Sequence, residues 1–390
     1  MSPRSRLLVA AASTAIVAYI AVGSLLGRVL GDTTYGQLAV FNEVVRMVLD
    51  SYVEPINLDR AMAAADRGLT EALDGDSAYL DDAEFKAYQQ GPRDADADIG
   101  LELTRRYGFL MALAPRQGSP AEKAGVRAGD ILKTIDGRHT RPLGAPTGER
   151  MLRGAPGSSV KLQILRAGGD LIDLSVVRER PLPATPKAEL LQDGVGYVKL
   201  PELSPASTDE LKGAIEGLAR SGARRLVLDV RDASFGQPED AVGPAELFLK
   251  GGVVAKLVGR GRPDIVLSAD PGRSACDLPL ALLVDRGTAG PAELLAAALQ
   301  DSGRATLVGE PTFGRAAVQA AFPLSTGGLV LTVARYVSPK GEPIHGKGVA
   351  PSVTVQVPDE APAAGEAPAD PILDKALEIL KAEPEAKKAA

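Results

Sequence analysis

Two histidines, His139 and His345, and one cysteine, Cys276, are the whole stock of imidazoles and thiols in 390 residues. They are too few for a His- or Cys-based zinc site, and a single thiol closes no intrachain disulfide. A Ser-His-Asp triad has few candidates on the same count. His139 falls in a turn, and His345 follows a strand in a Gly-rich segment. Cys276 precedes an apolar strand with no neighbour to lower its pKa. The remaining nucleophile types are hydroxyls at strand ends: Ser234 in the loop 231–237 and Thr288 in the loop 286–291. Neither has an evident base beside it, and hydroxyls at such places commonly serve turns and caps. No metal and no cofactor is implied.

The elements that must carry these loops follow from periodicity. Residues 185–355 alternate strands (GVGYVKL, RRLVLDVR, VVAKLVG, LPLALLVDRG, ATLVGE, LVLTVARYVS) with helices (TDELKGAIEGLARSG, PAELFLKG, PAELLAAALQDSG). That pattern predicts an α/β layered domain, with ligands gathering beyond the carboxyl ends of its strands. The loops 231–237 and 286–291 are the two candidates there. Residues 98–180 hold short strand-like runs between Gly and Pro, with GSPAEKAGVRAGD as a short helix closed by Gly125. They predict a small β-rich domain. Residues 35–90 read as helical: Phe41, Val44, Val45, Val48 and Leu49 recur at helical spacing, and Asn57 or Asp59 caps a second helix running through Ala72. The boundaries drawn are 1–30, 31–95, 96–182, 183–356 and 357–390, the last an acidic Pro/Ala linker and a terminal amphipathic helix.

Segment 7–27 is apolar and uncharged, and at 1.5 Å per residue it spans roughly 30 Å, enough for one membrane helix. Arg4 and Arg6 precede it, which places the N-terminus inside. It reads as an uncleaved single-pass anchor. A cleaved signal peptide, with small residues at Ala21-Val22-Gly23, is the alternative. Either way the bulk of the chain is exported: inner membrane, with the body in the periplasm or extracytoplasmic space. Net charge is −6 and pI about 5.3. No basic face is available for phosphates, so nucleic acid is excluded as the main partner. Trp is absent and aromatics total 4%, which leaves little for stacking on bases or sugars.

Several blocks resemble the C-terminal-processing (tail-specific) serine peptidases. SYVEP at 51–55 and LDGDSAYL at 73–80 resemble that family's N-terminal helical segment. GSPAEKAGVRAGDILKTIDG and LRGAPGSSVKLQILR resemble its PDZ domain. LVLDVRDASFG at 226–236, LALLVDRGTAGPAELLAAALQD at 280–301, LVGEPTFGRAAVQ at 307–319 and YVSPKGEPIHGKGVAPS at 336–352 resemble its peptidase domain. The resemblance implies a layered core of the ClpP/crotonase type beside the PDZ-like domain. It also implies a serine nucleophile, a neutral lysine as base, and backbone N–H groups for the oxyanion.

Residue by residue, the pattern departs from this. Where the family reads G-S-A-S-A-S-E, this chain has Gly287-Thr288-Ala289-Gly290-Pro291-Ala292-Glu293. Gly290 takes the nucleophile's place, and Pro291, with no N–H, takes an oxyanion donor's place. Where the family reads T-F-G-K-G-S-V-Q, Thr312 to Gln319 puts Arg315 in the lysine's place, a cation that does not act as a base near neutrality. Gln319, which would orient the lysine, is kept. In the D-L-R-N-N-P-G-G loop one glycine is Phe235, followed by the retained Gly236. The resemblance thus implies a peptidase fold without a catalytic set.

The PDZ-like block keeps its elements. PDZ domains take a peptide C-terminus as an added strand, its carboxylate held by backbone N–H groups. The matching groove is Ile99, Gly100 and Leu101 leading into Glu102 and Leu103, faced by Met151 and Leu152. The function implied is a membrane-anchored adaptor or regulator of envelope proteolysis that binds protein C-terminal tails or unfolded polypeptides. It would work alone, as a homo-oligomer paired through its terminal helices, or with a partner peptidase. The alternatives are an active serine-type endopeptidase cutting near C-termini with a non-standard catalytic set, and a structural protein with a disused groove.

Overall fold

The computed structural model describes residues 36–91, 97–357 and 369–382. The apolar segment 7–27 lies outside them. Among the described residues no helix is long and apolar enough to cross a membrane. The chain divides into two compact units, the first closing at Met62 and the second opening at Ala63.

In the first unit a helix runs over 36–51, as the apolar spacing predicts, and Phe41, Val44 and Val48 along it are exposed. The helix Leu58–Glu71 starts where expected, with Arg60 N–H donating to Asn57 Oδ1 at 3.0 Å.

The second unit holds three sheets. The β-rich block forms one of them, in the order Leu101–Arg106, Phe109–Pro115, Ile131–Ile135, Ser159–Leu165, Leu171–Val177. Alternate residues of its strands bury Leu103, Leu110, Leu132, Leu162 and Ile164 against the helix Ala145–Leu152. The short helix Pro120–Lys123 is followed by Gly125 at φ 86°, the left-handed close that the sequence suggests.

The central sheet is parallel through Val195–Lys199, Arg225–Asp229, Leu280–Val284, Thr306–Gly309 and Val353–Thr354, with Lys187–Leu190 antiparallel on one edge. Its strands read as continuous apolar runs because both faces are covered. Leu226, Leu228, Leu280 and Leu282 pack on one face with the helices Ser207–Arg220 and Pro291–Asp301. Val227, Ala281 and Leu283 pack on the other with Ile372, Ala376 and Leu380 of the terminal helix Pro371–Ala382. The fold is thus mixed α/β with a PDZ-type domain.

The third sheet orders Ala78–Leu80, Gly328–Val337, Gly252–Gly259 and Ile265–Ala269, with Ala317–Pro323 paired on Gly328–Val337. Two details differ from the sequence reading. Ala78–Leu80 lies in a stretch read as helical but is a strand, paired with Gly328 to Val330. A three-residue strand is fixed by its distant partner, not by its own propensity. The helix read over PAELFLKG ends at Glu246, and Leu247 and Phe248 are buried in a turn, with Leu249 buried just after it.

Candidate functional site

The strand Leu280–Val284 delivers a turn at its carboxyl end, where Gly290 caps the helix Pro291–Asp301. Gly290 has φ 59° and ψ −125°, a left-handed φ that favours glycine. A Cβ there would lie 3.3 Å from Ser234 O. Pro291 occupies the first helical position, where its missing N–H costs the helix nothing but leaves no donor for a ligand.

Glu293 holds the neighbouring loop to this turn. Its carboxylate accepts the backbone N–H groups of Gly290 at 3.1 Å, Gly314 at 2.6 Å and Arg315 at 2.7 Å, and the Thr312 hydroxyl. The side chain is fully buried. Burial pushes its carboxyl up to about 7, against the pull of these donors.

The Arg315 guanidinium lies among three carboxylates drawn from separate segments: Asp76 at 3.6 Å, Glu102 at 3.4 Å and Glu149 at 4.0 Å. Asp76 is presented by a bend in which Asp74 Oδ1 accepts the N–H groups of Asp76 and Ser77. Glu102 and Glu149 come from the PDZ-type domain. Burial drives the Glu102 carboxyl up to about 7 against the attraction of Arg315, with Glu149 adding to the rise. Gln319 is apart from this group: its Nε2 donates to Thr332 Oγ1 at 3.3 Å across the hairpin.

In the adjoining loop the Phe235 ring lies 4.3 Å beneath the Arg116 guanidinium, and Arg116 Nε is 3.0 Å from Glu202 Oε2. Arg116 belongs to the PDZ-type domain, so Phe235 fastens that domain to the core. A Cβ on Gly236 would overlap Leu203 O, and its φ of 127° also demands glycine. Arg231 anchors the loop's start through ion pairs to Asp229 at 2.6 Å and Asp370 at 2.8 Å.

Ser234 Oγ is buried against the Glu102 carboxyl, which its hydroxyl helps to hold down. Thr288 is engaged: its hydroxyl donates to Val230 O at 2.9 Å and accepts from Asp285 N–H at 3.0 Å. His139 is exposed in a short strand pair. Cys276 is buried, and burial raises its thiol further from reactivity.

The groove residues are placed as follows. Gly100 has φ 69°, and its N–H donates to Asp98 Oδ1 at 2.8 Å. Ile99, Leu101, Leu103 and Leu152 are buried in the domain core, and Met151 is half-buried. The helix lies tight on the strand at Gly148, where a Cβ would overlap Leu110. Leu103 N–H donates to Glu149 Oε1 at 3.3 Å, so an intramolecular carboxylate takes the donor that an added strand would use. A cleft of about 490 Å³ brings the two predicted sets together: Leu101, Glu102 and Leu152 on one wall, Phe235, Gly236 and Arg315 on the other.

Arg116 and Glu149 were not singled out from sequence, and Asp76 was read only as part of a polar bend within LDGDSAYL. No local pattern marks their shared role, because it arises from contact with residues far along the chain.

The comparisons with known proteins follow the same division. The model of peptidase family S41 matches residues 194–355, and a PDZ-domain model matches 112–166. The chain is 31% identical over 359 residues to the carboxy-terminal processing protease CtpA of Bacillus subtilis (strain 168), covering 91% of this chain and 77% of the relative. It is 36% identical over 290 residues to a carboxyl-terminal-processing protease of Synechocystis, covering 72% and 68%. Among solved structures, the photosystem II D1 C-terminal processing protease superposes with a TM-score of 0.67 at 28% identity, covering 81% of this chain and 92% of that one.

Proposed function

This chain belongs to peptidase family S41, among the carboxy-terminal processing proteases with a PDZ domain, and on that premise we propose that it captures polypeptide tails without cutting them. The observation that carries the reading is the pair Gly290 and Arg315. The first offers no atom to attack a carbonyl. The second is a permanent cation held by three carboxylates. Loss of the nucleophile alone costs a serine peptidase on the order of 10⁶ in kcat.

Tail capture rests on strand addition along Leu101–Arg106, with the peptide carbonyl replacing Glu149 on Leu103 N–H and the terminal carboxylate replacing Asp98 on Gly100 N–H. The protein then acts as an adaptor or regulator of proteolysis, alone, paired with a second copy, or beside an active peptidase. The apolar segment 7–27 supports a single-pass anchor in the inner membrane with the body outside the cytoplasm. Membrane fractionation and protease accessibility of intact spheroplasts test that placement.

The test of the central reading uses the purified chain and an unfolded substrate with an apolar C-terminus, beside an active relative. The expected result is binding by calorimetry and an intact substrate after overnight incubation. Steady turnover of that substrate overturns the reading. One observation favours a second reading, residual peptidase activity: the buried Ser234 hydroxyl lies against the Glu102 carboxyl, in a residue whose backbone carbonyl packs on the Gly290 turn. Turnover abolished by Ser234→Ala would establish it.

A further inference from the structure

Any tail added along Leu101–Arg106 must take Leu103 N–H, the donor now held by Glu149. The displaced carboxylate would then stand beside Glu102 and Asp76 with one guanidinium among the three. The site is already short of positive charge. Around the cleft, carboxylates outnumber guanidinium groups five to three.

One buried polar atom points to the same deficit: Asp76 is 7% exposed, and its Oδ1, 3.6 Å from Arg315 Nε, makes no hydrogen bond. The acidic side chains nevertheless reach the cleft: Glu102 is 27% and Glu149 32% exposed. Carboxylates that face a cleft and are short of donors attract a cation that can bring several N–H groups.

We infer that the cleft selects a polypeptide tail carrying a lysine or arginine near its end, whose side chain pairs with Glu149 and Glu102 beside Arg315. This rests on the tail-capture reading and names the tail it takes. Arg315 acts as the resident counter-ion that keeps the groove closed when no tail is present. A tail with only apolar side chains would leave Glu149 without its N–H donor and with only its share of Arg315, a cost that a cationic side chain offsets.

The test is a set of octapeptides with a common apolar sequence, carrying a single lysine at each of the last four positions in turn. Each is paired with its norleucine isostere, and binding to the full chain is measured by calorimetry. At one position lysine should bind about tenfold tighter than norleucine. Glu149→Gln should reduce that preference to within threefold, and Arg315→Ala should increase it. Opposite signs in the two variants distinguish charge pairing from a general loss of structure. Equal binding of lysine and norleucine peptides at all four positions overturns the inference and leaves tail capture standing. Binding by none of the peptides overturns both.

Discussion

Glu293 and Arg315 meet through the backbone: the Arg315 N–H donates to Glu293 Oε2 at 2.7 Å, while the Arg315 side chain leaves the loop to pair with Asp76, Glu102 and Glu149. One residue is thus fixed at its main chain by the core and at its side chain by the PDZ-type domain and the bend before it. The main-chain contact at 315 calls for no particular side chain. The domain contact does.

Replacing Glu293 by alanine should be among the most costly single changes in the chain. It leaves the N–H groups of Gly290, Gly314 and Arg315 and the Thr312 hydroxyl without their acceptor in a fully buried place. Unsatisfied buried donors cost about 1–3 kcal/mol each, and partial relaxation should bring the total to about 3–5 kcal/mol. Urea denaturation measures it. A loss below 1 kcal/mol would show that the two loops hold together without this carboxylate.

Glu293 also sets a pH dependence. Its folded carboxyl is raised from 4.5 to about 7. Between those values the folded state keeps a proton that the unfolded state has lost, so stability falls as pH rises from 4.5 to 7 and levels off above. The slope is at most about 1.4 kcal/mol per unit for one group. Glu102, also raised to about 7, acts in the same direction. At the acid end Asp229 opposes them. Burial would raise it, but Lys199 and Arg231 hold it at about 2, so its contribution is present above its ordinary 3.8 and lost as pH falls through 2. The melting temperature should be higher at pH 5.5 than at pH 8, and Glu293→Gln should narrow the difference. A higher value at pH 8 in the parent chain would contradict these assignments.

The central strands were legible because burial on both faces leaves a mark within the strand itself. Arg225–Asp229 and Leu280–Val284 are unbroken apolar runs, each followed by a loop of turn residues. The positions Gly290, Pro291, Arg315 and Phe235 were named from the resemblance to the tail-specific peptidases, motif by motif, and the readable strands served only to place the segments that carry them. What the side chains do there was not legible. Arg315 reaches Glu102 across 213 residues of sequence, and no local pattern encodes that approach. The groove residues were read as a peptide wall, but the sequence does not show that Glu149 caps Leu103.

Restoring a hydroxyl at position 290 alone should yield no peptidase. Gly290→Ser places a side chain at φ 59° with its Cβ 3.3 Å from Ser234 O, a strain worth about 1 kcal/mol of stability. Arg315 still cannot accept the hydroxyl proton, and Pro291 still has no N–H. Labelling by a fluorophosphonate probe and hydrolysis of an unfolded substrate should both be absent. Labelling at residue 290 would mean that another group takes the proton.

The contact between Phe235 and Arg116 should register as a coupling energy. The ring lies 4.3 Å from the guanidinium carbon, and both side chains are half-buried where the PDZ-type domain meets the core. Phe235→Leu keeps most of the apolar volume but removes the ring's negative face, and Arg116→Met keeps the stem but removes the charge. Each single change should destabilise the chain. Arg116→Met should cost more, because it also leaves Glu202, 5% exposed, without its cation at 3.0 Å. The double-mutant cycle isolates the ring–cation part, expected at about 0.5–1 kcal/mol. Hydrogen exchange across Leu101–Arg106 should quicken in Phe235→Leu, since that strand sits on the far side of the same contact. A coupling energy of zero, with unchanged exchange in that strand, would mean that Phe235 fills space without fastening the domain.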